Sequence, residues 1–191
     1  ACPICRLALP PGPEKLYEDA ARLYISTAGR DRTGCGVQWR PQTAVENDNM
    51  AQIVDMLTNA AKQGHMYAQY SLGRIYTGSG LARDDEKAVP WFRKAASQGF
   101  VEAQVNLGNL YYSGQGVAQD FHDAARWYHK AANQGDVKAQ LNLGEMCHRG
   151  KGGQDFYDAA RWYHKAANQG DATAQYYLGN MYHNGDGVAQ D

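Results

Sequence analysis

The sequence predicts an all-α fold: a solenoid of helix-turn-helix units that recur about every 35–36 residues. Three observations carry this reading. First, Gly73, Gly108, Gly144 and Gly179 stand 35, 36 and 35 residues apart. Each sits inside one short pattern: Tyr70-Ser71-Leu72-Gly73, Val105-Asn106-Leu107-Gly108, Leu141-Asn142-Leu143-Gly144 and Tyr176-Tyr177-Leu178-Gly179. Each pattern follows an Ala-Gln pair, at Gln69, Gln104, Gln140 and Gln175. Second, a Trp-aromatic-x-Lys-Ala-Ala run begins at Trp91, Trp127 and Trp162, and each run ends in Gln-Gly, at Gly99, Gly135 and Gly170. Third, residues 120–136 and 155–171 differ only at His122 against Tyr157.

The first element of each unit, helix A, places Ala103, Leu107 and Leu110 or Tyr111 on one face at helical spacing. Gly108 in mid-helix costs about 1 kcal/mol relative to alanine, so its recurrence implies a close helix approach there. The pair Gly114 and Gly116 then ends the helix. Asp120 is a good N-cap for the second element, helix B. Ala124, Trp127 or Tyr128, and Ala131 form its buried stripe, Lys130 suits its last turn, and Gly135 terminates it. Neither helix can bury its face alone, so successive units must share a core. Three features depart from the pattern, one of them the loop from Gly150 to Asp155 in the third unit, which is one residue shorter than its neighbours. The first unit has one residue fewer between Tyr76 and Gly78 than the second has between Tyr111 and Gly114. Pro90 stands where the other units carry Arg126 and Arg161, and is expected to kink that helix or delay its start.

The N-terminal third is divergent. Residues 1–48 are expected to hold one helix, about residues 14–28 with Pro13 at its first position, and an irregular loop. The segment Asp19-Ala20-Ala21-Arg22 echoes Asp123-Ala124-Ala125-Arg126, which reads as another helix B. The run from Leu9 to Pro13 reads as an extended lead-in. Residues 49–191 form the repeat solenoid, whose last unit stops unfinished at Asp191, so further chain is expected there. The chain opens on Ala1 without a leader pattern, which points to a removed leader or a fragment.

Composition excludes several functions. The net charge of −1 gives no footprint for non-specific nucleic-acid binding. No apolar run approaches the roughly 20 residues of a membrane-spanning helix. The glycine pairs recur at one point of the repeat and follow no strand, so they read as turns and not phosphate cradles. Cys2, Cys5 and Cys35 are candidates for a disulfide or a metal site, but the one CxxC has no second pair at zinc-finger spacing. Cys147 reads as a buried or half-buried free thiol. His129 and His164 fall on the exposed flank of helix B, while His148 and His183 are equivalent helix A positions in adjacent units. No nucleophile-base arrangement is marked by a motif, so no enzyme activity, cofactor or bound metal is expected.

The whole pattern, A-x-A-Q-x-x-L-G-x-x-Y, then G-x-G-V, then D-x-x-x-A-x-x-W-Y-x-K-A-A-x-Q-G, resembles the Sel1-like repeat, a relative of the tetratricopeptide repeat. The resemblance covers about residues 67–191. It implies a right-handed α-α superhelix of antiparallel helix pairs and a non-catalytic adaptor or scaffold that binds a protein or extended peptide. It also favours an exported, periplasmic or organellar location. In such a solenoid the variable helix A positions face the concave surface, and in the related family that stripe contacts peptides. Counted from the repeated glycine, the stripe comprises Tyr67, Tyr70 and Arg74 in the first unit, with Thr77 left open by the deletion. It continues with Glu102, Val105, Asn109 and Tyr112, then Lys138, Leu141, Glu145 and His148, then Thr173, Tyr176, Asn180 and His183. Tyr, His, Asn and Arg suit such a surface because they are large and can hydrogen-bond. Two alternatives stand beside this reading. One is an accessory structural subunit of a large multiprotein assembly. The other is a thiol- or metal-dependent assembly factor that uses the N-terminal cysteines.

Overall fold

The computed structural model describes residues 12–27, 44–79, 83–151 and 155–187. Among them are nine α-helices and no strand. In chain order these are α1 (Pro13–Thr27), α2 (Ala44–Lys62), α3 (Met66–Arg74), α4 (Asp85–Ser97), α5 (Val101–Ser113), α6 (Phe121–Asn133), α7 (Val137–His148), α8 (Phe156–Asn168) and α9 (Ala172–Asn184). Cys2, Cys5, Cys35, the Leu9 lead-in and residues 28–43 lie outside the described residues. The chain divides into two compact units, residues 1–94 and 95–191.

In the first unit α1 packs along α2, and α2 packs on α3. Ala20, Met50, Ile53, Leu57, Ala60 and Leu72 form their shared core. Two expectations change here. The irregular stretch is shorter than its sequence implies, because α2 already begins at Ala44. And α1, whose sequence echoes helix B, packs along α2 in the manner of a helix A, since it is α2 that ends in the Ala60-Ala61-Lys62-Gln63-Gly64 signature of helix B. A short apolar motif such as Asp-Ala-Ala-Arg serves either face, and pairing decides its place.

Pro90 does not delay its helix. The helix α4 starts at Asp85 and runs through the proline to Ser97. Pro90 and Glu86, four residues earlier, are both exposed. The carbonyl that loses its intrahelical donor can therefore be hydrated, which lowers the usual cost of an interior proline. The one-residue deletion after Tyr76 is taken up where the chain leaves helix A, at Gly78, which takes φ 114°. Such a φ is open to glycine without strain. Helix B still starts in register: the Asp84 amide donates to the Tyr76 carbonyl at 2.7 Å, as Asp120 donates to Tyr111 at 2.9 Å and Asp155 to Cys147 at 3.2 Å.

The repeated glycine has a specific physical cause. A methyl group placed on Gly108 would lie 2.6 Å from the ring of Tyr128, and on Gly144 at the same distance from Tyr163. In the first unit Phe92 covers Gly73 at 2.6 Å. The constant aromatic residue of helix B lies flat against the bare backbone of helix A in each case. This resolves the helix B stripe: Tyr128, 2% exposed, is the core residue, and Trp127 beside it is half-buried. The Lys130 ammonium sits 4.2 Å above the Trp127 ring, and Lys165 sits 4.1 Å above Trp162. These are cation–π contacts that pin the last turn of helix B.

Turn chemistry fixes the remaining joints. Asp120 caps α6 by accepting from the His122 and Asp123 amides, and Asp155 caps α8 through Asp158. Asp136 and Asp171 cap α7 and α9 through Ala139 and Ala174, at 2.7 and 2.8 Å. The glutamine before each Leu-x-Leu-Gly or equivalent run is buried where its neighbours are complete, at Gln69, Gln104 and Gln140. The Gln104 side-chain amide donates to the Ala96 carbonyl at 3.1 Å, and Gln140 to Ala132 at 3.3 Å. These carbonyls belong to the last turn of the preceding helix and also accept from the turn amides of Gly99 and Gly135, at 3.1 and 3.0 Å, so the glutamine is a second donor to each. Because a carbonyl only accepts, the glutamine nitrogen must face it and its oxygen faces away. That oxygen accepts from Gln134 in the first case and Gln169 in the second, both at 2.9 Å. The polar Gln-Gly turn is thus tied to a buried amide that also satisfies a helix end.

Candidate functional site

In the second unit the helix A positions singled out by the sequence flank two recesses. The first, of about 210 Å³, is lined by Asn109 and Tyr112 of α5, Tyr128 of α6, and Asn142 and Glu145 of α7. The second, of about 240 Å³, is lined by His148 of α7, Tyr163 of α8, and Tyr176, Tyr177, Asn180, Met181 and Asn184 of α9, with Asp186 after it. They are the same place in successive repeats. Each lies between two helices A, and each includes the tyrosine that covers the repeated glycine. Tyr112 in the first corresponds to His148 in the second, Asn142 to Tyr177, and Glu145 to Asn180.

Tyr128 and Tyr163 line these recesses although both are almost fully buried. Tyr128 donates to the Asn109 side-chain oxygen at 2.7 Å. Asn142 approaches the same oxygen at 3.4 Å. Burial, with the nearby Tyr112 and Glu145, pushes the Tyr128 hydroxyl well above the ordinary phenol value. Burial and Glu145 do the same to Tyr163. Both phenols therefore stay protonated at neutral pH. Asn109, with its oxygen held this way, turns its side-chain nitrogen away from Tyr128, so the amide is oriented by the core beneath it. Glu145 is held by Arg149 at 3.1 Å.

Other stripe positions divide by role. Glu102, Lys138, Thr173, Asn180 and His183 are exposed, and Tyr176 is 66% exposed. Val105 is half-buried, and Leu141 packs on the cluster of Ala159, Tyr163 and Met181, so it belongs largely to the core. Tyr112 and His148 are half-buried and stand edge-on to Phe121 and Phe156, at 5.5 Å in both cases. In the first unit Tyr67 and Arg74 are exposed, and Tyr70 leans on Phe92 at 5.9 Å. Thr77 donates to the Arg74 carbonyl at 3.1 Å, just before the kink at Gly78.

The sequence reading missed two contributors. One is the helix B tyrosine, counted only as core. Its signal was present: a constant ring recurs 19 or 20 residues after each of the first three glycines. The other is the position two before the glycine, Asn142 and Tyr177, which the stripe count left out.

The remaining chemistry is weak. Burial raises the Cys147 thiol above its ordinary value, which disfavours the thiolate a nucleophile needs. Burial lowers His129, whose ring stands edge-on to Trp162 at 5.2 Å, so it is neutral at neutral pH. Among the described residues no three His, Cys, Asp or Glu side chains converge as metal ligands. Among them, too, no helix is long and apolar enough to cross a membrane. The pair Gly114 and Gly116 takes left-handed φ values of 70° and 68°.

Comparison with known proteins agrees with this fold. The Sel1 repeat family model matches residues 67–100, 101–136, 137–171 and 172–191. A Sel1 repeat protein from Oxalobacter formigenes superposes with a TM-score of 0.76 at 29% identity, over 94% of this chain and 68% of that one. The protective antigen c5321 of uropathogenic Escherichia coli, which displays an SLR fold, superposes with a TM-score of 0.74 at 32% identity, over 93% of this chain and 35% of that one. An uncharacterised protein of Neisseria meningitidis serogroup B is 42% identical over 62 residues, which are 32% of this chain and 13% of that protein. The chain thus spans only a small part of that curated relative and about a third of the antigen. With an all-α repeat architecture and four matched units, the chain belongs to the Sel1 repeat family.

Proposed function

We propose that this chain is a non-catalytic adaptor that binds an extended segment of a partner protein along the helix A faces of α5, α7 and α9. Sel1 repeat proteins are in general interaction scaffolds, and the proposal narrows that role to a surface. One observation carries it. The two recesses share a constant floor, tyrosine over glycine, but carry different linings: Asn142 and Glu145 in one, Tyr177 and Asn180 in the other. A constant frame with variable linings is what side-chain recognition along a chain requires. Amide and phenol groups held by the core cost little further ordering on binding. Tyr67, Tyr70 and Arg74 hold the corresponding stripe positions on α3.

The test is capture from a native extract, with the chain compared to a Tyr176→Glu, Asn180→Arg double variant. Both residues are exposed on α9, so the variant is expected to keep its helical circular dichroism. A partner held through this surface should bind the variant at least about tenfold more weakly. Equal binding by the folded variant would remove the helix A surface of α9 from the interface.

A further inference from the structure

The two recesses differ in one respect that bears on what each can hold. In the first, Asn109 of α5 and Asn142 of α7 meet across the gap between helices A. The polarity of both carboxamides is set from below. Tyr128 donates to the Asn109 side-chain oxygen at 2.7 Å, and the Asn142 side-chain nitrogen approaches the same oxygen at 3.4 Å. Burial raises the Tyr128 hydroxyl, and a hydrogen bond from Asn142 opposes that rise, as a donor to the phenol oxygen must. An amide with its oxygen engaged offers its nitrogen, and one with its nitrogen engaged offers its oxygen. The recess therefore presents one donor, Asn109 Nδ2, beside one acceptor, Asn142 Oδ1. The second recess has no such pair: one repeat on, Glu145 holds the Asn109 position and Tyr177 the Asn142 position.

Among the residues that line the first recess Glu145 alone is charged, and Arg149 pairs with it at 3.1 Å. The matching occupant is neutral and polar, with an acceptor beside a donor. A residue in extended conformation is such a group. Its own N–H and C=O point to the same side of the chain, as in the closely spaced pairs of an antiparallel ladder. We propose that the recess between α5 and α7 clamps the main chain of the partner segment at one extended residue, Asn109 donating to its carbonyl and Asn142 accepting from its amide. The two asparagines take the part of a residue in a neighbouring strand. The clamp rests on the adaptor reading and deepens it. It reads conformation and not sequence, and rejects only proline, which has no amide proton. Choice among side chains falls to the second recess, walled by Tyr163, Tyr176 and Tyr177. Because Tyr128 holds Asn109 before anything binds, little side-chain entropy is lost in closing the clamp.

The test uses two capped residues as probes of the main chain alone. N-acetyl-alanine-N′-methylamide carries the residue N–H and C=O, and N-acetyl-proline-N′-methylamide lacks that N–H. Each is titrated into the isotope-labelled whole chain while the asparagine side-chain amides are observed by nuclear magnetic resonance. The alanine probe should shift Asn109 and Asn142 along one saturable curve. The proline probe should bind about fivefold more weakly, the loss of one hydrogen bond. Asn109→Asp keeps an oxygen for Tyr128 but offers no donor, so it should weaken the alanine probe by at least as much. Asn109 is exposed, and the variant should keep its helical circular dichroism. Equal binding of the two probes, equal binding of the alanine probe by the folded variant, or no saturable shift at either asparagine would each overturn the clamp. None of these outcomes touches capture through α9, which the Tyr176→Glu, Asn180→Arg variant tests by itself.

Discussion

Tyr128→Ala is expected to cost about 3–5 kcal/mol, among the largest effects available in the second unit. The ring is 2% exposed and fills the space over Gly108, so its removal leaves a cavity between α5 and α6 that neither helix can close. It also removes the donor that orients Asn109. Tyr128→Phe separates these losses. It keeps the ring and should cost about 1 kcal/mol, the net worth of one hydrogen bond. Urea unfolding followed by circular dichroism measures both. Similar costs for the two variants would mean that the hydroxyl, and not the ring, holds the helix pair together.

The second large effect has opposite signs at equivalent positions. Gly108→Ala and Gly144→Ala should each destabilise the chain by about 1–3 kcal/mol, even though alanine is the better helix former by about 1 kcal/mol. The added methyl would meet a ring that is buried and, in Tyr128, hydrogen-bonded, so the ring cannot swing aside. In Gly179→Ala the methyl meets nothing within 4 Å, and the same substitution should be neutral or stabilise by up to about 1 kcal/mol. Unfolding midpoints of the three variants give the comparison. Stabilisation in all three would show that the glycines are not there for the rings.

The two predictions rest on features of unequal legibility in the sequence. The glycine period, the helix ends at the Gln-Gly turns and the Asp120 cap follow from local rules, because spacing and capping act within a few residues. The reason for the glycine does not, since it lies in a ring 19 or 20 positions away. The buried glutamines were unreadable for a related cause. Gln104 looks like a surface residue until the helix end it satisfies, at Ala96, is placed beside it. His65, which caps α3 by accepting from the Ala68 amide, escaped notice because imidazole is not among the usual N-cap side chains. The place of α1 was misread because its Asp-Ala-Ala-Arg run is compatible with either helix of a pair, and only its packing along α2 decides. The stripe count found most of the recess lining but took each helix A alone. The recesses are formed by two helices A and the helix B between them, so Asn142, Tyr177, Tyr128 and Tyr163 emerge only from the packed repeat.

The most direct test of the account is to map where a captured partner segment binds. The segment would be titrated into the isotope-labelled chain, with backbone and asparagine side-chain amides observed. The account predicts that the largest shifts fall on Asn109, Asn142, Tyr177 and Asn180, with smaller ones in their helices. Shifts confined instead to exposed residues of α6 and α8, such as His122, Arg126, His164 and Lys165, would place recognition on helix B and contradict it.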